Sequence, residues 1–208
     1  VSNIRLTKNE LRSQQNKLSQ LVRYLPTLQL KKAMLQLEVT QVGQTIQETQ
    51  EEMDHLRTRA LKFAPMLSEN GMKGFLSALA IKETHTSVEN IAGVEITNLE
   101  DIEFQEAEYS LLTTPFWWDS MLFKLRELVE FREKLFFLKE KRRLLEEELR
   151  SVSIRVNLFE KILIPRTTAN IKKIKVFLGD QQLSAVATSK VAKQKIEAKK
   201  EQEEEASK

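Results

Sequence analysis

The chain has no cysteine, so disulfides, thiolate metal ligands and thiol nucleophiles are excluded. Proline occurs 4 times and glycine 5 times in 208 residues. An all-β sandwich needs turn residues at about every 8–12 positions, and this chain cannot supply them. No apolar run approaches the ~18 residues of a membrane span. No secretory leader opens the sequence, which gives the expectation of a cytoplasmic protein without direct membrane insertion. An excess of one charge is also missing. The 33 Lys+Arg against 30 Asp+Glu leave a net charge of +3, too balanced for a nucleic-acid polycation.

What remains is 30% charged and 41% hydrophobic residues with little punctuation, a composition that favours long helices. A heptad seam points the same way. Its a positions are Leu11, Leu18, Leu25, Lys32, Val39, Ile46, Met53 and Ala60. Its d positions are Gln14, Leu21, Leu28, Leu35, Val42, Thr49, Leu56 and Phe63. Only Gln14, Lys32 and Thr49 are polar, so the spacing predicts a coiled-coil helix. Pro26 falls inside it and predicts a kink, because the seam stays in phase on both sides. A second seam runs Leu128, Phe131, Leu135, Leu138, Arg142, Leu145, Leu149, Val152, Val156, Phe159, Leu163. Thr114-Pro115 reads as its N-cap and first helical residue. Pro165 predicts an end or kink. Ile171, Ile174 and Leu178 continue at helical spacing to Gly179, a candidate break.

The middle has a different texture. Gly71 and Gly74 punctuate it, and a short amphipathic helix is expected around Met72 to Ile81. Residues 82–108 are strongly acidic. Gly93 to Thr97 and Ile102 to Phe104 alternate, which predicts a short β-hairpin or an irregular cap. The expected fold is all-α dominated: a long antiparallel two-helix coiled coil built from the N- and C-terminal segments, with a small middle segment of short hairpin and/or short helix at one end. The divisions are 4–66 and 115–188 for the two helices, 67–114 for the middle segment, and 189–208 for a charged tail, helical only on a partner or disordered.

If Phe63 lies near Phe116, facing positions sum to roughly 179. Lys32 then faces Glu146-Glu147-Glu148, and Arg142 faces Leu37-Glu38. This makes Lys32, Glu38, Arg142 and Glu147 candidate register-setting residues, since a paired polar break can fix register. The antiparallel arrangement also gathers basic residues at one end: Arg5, Lys8, Arg12, Lys17 and Arg23 with Arg166, Lys172, Lys173 and Lys175. No aromatic residues interleave with these lysines for base stacking, so a socket in a partner protein fits them better than nucleic acid. A basic helix face could also attach to anionic lipid.

No phosphate-binding loop, dinucleotide fingerprint or nucleophile elbow is present. His85 and Glu89 are four apart and could share a helix face, but lack further ligands. The acids of 95–108 lack a base beside them, so they read as a solvated or docking face. No catalytic residue, metal or cofactor is expected. Trp117-Trp118 after Phe116 is the densest aromatic spot. Its expected role is a core pinning the middle segment to the helix start, the alternative being a partner-binding hot spot.

Several segments carry a family likeness. Leu6-Thr7-Lys8-Asn9-Glu10-Leu11 is similar to an opening T-K-x-x-L pattern, and Leu30-Lys31-Lys32-Ala33 to an L-L-K-x-K-R-x-x-L region without its Arg. Asn90-Ile91-Ala92-Gly93-Val94-Glu95-Ile96 resembles N-x-x-G-V-x-I-P, with Thr97 at the proline. Arg155, Asn157 and Glu160, followed by Pro165 and Arg166, match R-x-N-A-L-E-x-x-x-I-P-R. Over residues 4–178 the chain resembles the D subunits, the central rotor stalks, of V-type and archaeal-type rotary ATPases, in their bacterial branch; the tail departs from the family pattern. The resemblance implies a non-catalytic shaft. Its termini enter the hexamer of A and B subunits, the F subunit binds alongside, and the C subunit joins its foot to the membrane ring. It implies coupling of ATP hydrolysis or synthesis to proton or sodium transport, at a peripheral membrane location. A stand-alone coiled-coil adaptor has the same periodicity and stays open as the alternative.

Overall fold

The computed structural model describes residues 4–62, 65, 76–106 and 115–206. The elements run α1 (Lys8–Leu61), β1 (Ile81–Ile91), β2 (Val94–Phe104), α2 (Trp118–Asn157), a π-helical turn (Leu158–Leu163) and α3 (Ile164–Ala206). The fold is thus all-α dominated with one two-stranded antiparallel hairpin. The chain divides into two compact units, one of Val1–Gln29 with Ile154–Lys208, the other of Leu30–Ser153.

In the first unit α1 starts on Thr7. The Thr7 hydroxyl accepts from the Glu10 amide (3.3 Å), and Glu10 stands at the third position expected of a capping box. Leu21 is buried, and Leu11, Leu18, Leu25 and Leu28 are half-buried. From the other chain end Val156, Ile171 and Ile174 are buried. Pro26 lies inside α1 without ending it. Pro165 has a clearer effect. Its ring removes one N–H and crowds the carbonyl four residues back. The chain widens to a π turn immediately before it, and the Ile164 amide bonds to the Phe159 carbonyl, five residues back. Gly179, expected as a break, sits within α3. The tail stays helical to Ala206, and every side chain over 180–199 is exposed.

In the second unit the seam positions of both helices turn inward. Leu35, Val42, Ile46, Thr49 and Ala60 are buried on α1, and Leu135, Leu145 and Val152 on α2. Thr49 satisfies its hydroxyl on the Thr45 carbonyl (2.7 Å), so this polar seam residue leaves no orphan group. Helix α2 begins at Trp118 and not near Thr114, which lies outside the described residues, as do Phe63, Gly71 and Gly74. Of the helix expected over 72–81, residues 76–78 are helical and Ile81 already belongs to β1.

The hairpin is longer than the alternation suggested, with 11 residues in each strand. Ala92 and Gly93 form its turn at φ +51° and +83°, the two left-handed residues that a two-residue type I′ connection requires. Asn90 Oδ1 accepts from the Gly93 amide (2.9 Å). Ile96 and Ile102 are buried, while their neighbours Glu95, Glu103 and Asp101 face solvent.

Candidate functional site

The first unit carries the cationic surface. Arg5, Lys8, Arg12, Lys17, Arg23, Arg166, Lys172, Lys173 and Lys175 all belong to it, and all are exposed. An open cleft there is lined by Ile4, Arg5, Glu10, Gln14, Lys17, Leu163, Arg166, Thr167 and Asn170. Gln14, the polar break of the seam, donates to Glu10 Oε1 (2.8 Å). Thr167 is buried and donates to the Leu163 carbonyl (2.7 Å), bridging the π turn to α3. Arg155, Asn157, Glu160, Pro165 and Arg166 surround this turn and are exposed. They lie exposed around the backbone irregularity, which no single residue type announces.

The second unit holds the ion pairs and the hairpin. Lys31 Nζ donates to Glu148 Oε1 at 2.7 Å, with both side chains about one-third exposed (31% and 28%). The pair lies on the anticipated register, but the cation is Lys31 and not Lys32. Lys32 and Glu38 are half-buried. Arg142 does not reach across to Glu38. Its Nε donates to Glu146 Oε1 one turn along its own helix, at 2.7 Å. Glu147 similarly accepts from Arg143 Nη1 at 3.3 Å. Acids three and four residues away compete better for exposed arginines than a residue on the facing helix.

Three contacts dock the hairpin on the helices. Arg126, which the heptad pattern does not single out, is the strongest. Its Nε and Nη2 donate to the Ala78 carbonyl (3.1 and 2.9 Å), and Nη2 also donates to the Gln105 carbonyl (2.8 Å). Its guanidinium lies 5.1 Å from the Phe104 ring centroid. One fork thus ties α2 to both flanks of the hairpin. Further along α2, Lys141 approaches Glu89 (3.5 Å) and Asn98 (3.4 Å). The Asn98 amide, then Lys141, hold the Glu89 carboxyl below the usual carboxylate range. A Cβ on Gly93 would lie 3.6 Å from Lys31 Nζ, so the turn reaches the Lys31–Glu148 pair.

Beneath the hairpin base, Trp118, Met121 and Leu122 are buried with Ala78, and Trp117, Leu79 and Leu125 are placed against them. The tryptophans therefore form the core that was anticipated, with Ala78 as the middle segment's contribution. His85 lies on β1, not on a helix. Its Nε2 is 3.4 Å from Glu103 Oε1 on β2, whereas Glu89 is engaged by Asn98 and Lys141. Glu130 lines an acidic cleft with Leu99, Glu100, Asp101, Ile102, Phe131 and Lys134. Partial burial, then the charges of Asp101 and Glu127, push its carboxyl up.

The fold and these surfaces define a coiled-coil protein with a β-hairpin docked on one helix pair and a cationic face on the other. The family model for the D subunit of ATP synthases matches residues 10–194, and the chain belongs to that family. It is 44% identical over 207 residues to the V-type ATP synthase D subunit of Chlamydia caviae, with 98% of each chain covered. It is 42% identical over 204 residues to that of Chlamydia abortus, again with 98% of each covered. With the protein of the same description from Chlamydia pneumoniae it shares 44% over 202 residues, covering 95% of each.

Proposed function

We propose that the chain is the non-catalytic central-stalk rotor of a V-type ATP synthase, coupling nucleotide turnover in an A/B hexamer to proton or sodium transport. Near full-length similarity to V-type ATP synthase D subunits is the observation that carries this reading. It also favours a rotor over a free-standing adaptor, which would share the heptads but not the match across helices, hairpin and tail. No helix among the described residues is long and apolar enough to cross a membrane, in keeping with a cytoplasmic, membrane-peripheral position within a complex.

In this reading the unit holding both chain ends enters the A/B hexamer, and the exposed cations Arg5, Lys8, Arg12, Lys17, Arg23, Arg166, Lys172, Lys173 and Lys175 meet polar or acidic bearing surfaces there. The F and C subunits engage the rest of the stalk, the latter at the foot. The nucleotide chemistry belongs to the hexamer. The shaft's task is to present different side chains to each surrounding A/B pair, so that each pair is held in a different conformation and binding free energy is exchanged for rotation. Torque requires helices that do not slide. The buried seams, with the register-setting role assigned to Lys32, Glu38, Arg142 and Glu147 now centred on Lys31 and Glu148, serve that need.

The test is reconstitution with A and B subunits. Alanine at Arg5, Lys8, Arg12, Lys17, Arg166 and Lys172 together is expected to weaken assembly and lower the ATPase activity of the complex. Unchanged assembly and activity would refute the bearing role of these residues.

A further inference from the structure

The outer face of the hairpin carries three side chains that the strand register brings together. Glu83 pairs directly with Glu103, and His85 with Asp101. Glu83 and His85 are two apart on β1 and so share a face with Glu103 across the ladder. Irregularities flank this segment on both sides, between Ile81 and Glu83 and between His85 and Thr86. Bulges of this kind re-aim side chains. All three residues are exposed, and one ligand atom from each lies within 4.8 Å of the others. Among the described residues no other group of three or more potential ligands converges in this way.

The geometry fits coordination better than it fits a bare strand pair. Two carboxylates directly opposite each other repel. Lys82 relieves this in part, from 3.2 Å, but at Glu103 Oε2. Oε1 remains beside His85 Nε2 at 3.4 Å. That separation is the edge of a tetrahedron with metal–ligand bonds of about 2.0–2.1 Å, roughly 3.4 Å. Rotation of the exposed Glu83 side chain completes the set. One imidazole and two carboxylates suit a borderline divalent ion. A hard ion such as Mg²⁺ prefers an all-oxygen shell.

We propose that Glu83, His85 and Glu103 form a divalent transition-metal site of the Zn²⁺ class that clips β1 to β2. Binding to the folded hairpin alone stabilises it by mass action. The remaining coordination positions open to solvent.

The experiment is calorimetric titration of the tag-free full chain with ZnCl₂. Saturable one-to-one binding is expected. His85→Ala and Glu103→Gln should each weaken it by about tenfold or more. Glu95→Gln, on the same strand as Glu103 but outside the cluster, should leave it unchanged, and far-UV circular dichroism should show all three variants folded. Mg²⁺ at the same concentration should not compete. No saturable Zn²⁺ binding, binding by His85→Ala equal to the parent, or displacement by Mg²⁺ would overturn the assignment.

Discussion

Lys31 and Glu148 meet at 2.7 Å between α1 and α2, beside the turn of a hairpin whose base is held by Arg126. The ion pair is half-sheltered and reports the register in which the two helices face each other. A double-mutant cycle with Lys31→Ala and Glu148→Ala should give a coupling energy of about 0.5–1 kcal/mol, decreasing with salt. A coupling of zero at low salt would remove the pair from the register argument.

Arg126 is expected to matter more. Lysine cannot reproduce a fork that donates to two carbonyls while lying over Phe104. Arg126→Lys should cost about 2 kcal/mol in denaturant melts. Hydrogen exchange should quicken at the Gln105 amide, which bonds to the Ala80 carbonyl at 2.9 Å. Exchange protection unchanged from the parent would show that the hairpin base is held by other means.

The two turn residues should respond in opposite directions. Ala92 occupies a left-handed conformation that asparagine adopts more readily. Ala92→Asn should raise stability by about 0.5 kcal/mol, and Gly93→Ala should lower it by about 1 kcal/mol. The added Cβ at Gly93 meets only the Lys31 ammonium at an ordinary contact distance, so the loss is conformational and not steric. A neutral Gly93→Ala in thermal melts would contradict the turn geometry.

Glu130 should respond to pH. Its folded carboxyl titrates above the usual 4.5, so ionising it disfavours the folded state. The penalty is absent below that ordinary value and complete once pH exceeds the raised one. Glu130→Gln should therefore stabilise the protein at pH 7 by no more than about 0.5 kcal/mol, since the group is largely solvated. The gain should vanish as pH falls below 4.5. A gain that persisted at about pH 3, below both values, would point to repacking instead.

The helical body was readable from residues because burial follows the heptad. Every described a and d position from Leu11 to Ala60 is buried or half-buried. Which charges pair was less readable. Lysine side chains are long and flexible, so the residue beside the seam position can reach the partner acid, as Lys31 does in place of Lys32. Arg142 found an acid on its own helix, a choice that depends on rotamers and not on heptad phase. The π turn left only Pro165 as a trace, because its cause is a missing N–H and its effect lies upstream. Arg126 was invisible because its partners are main-chain carbonyls, which every residue carries. His85 was misplaced with Glu89 because its neighbours are set by strand pairing, and the alternation around Gly93 marked only part of the hairpin.

The most direct test of the rotor reading is affinity capture of the tagged chain from its source cells, with mass spectrometry of the proteins that accompany it. The account predicts the A, B and F subunits of a V-type ATP synthase, in a fixed ratio to the chain. A folded chain recovered without them would contradict it.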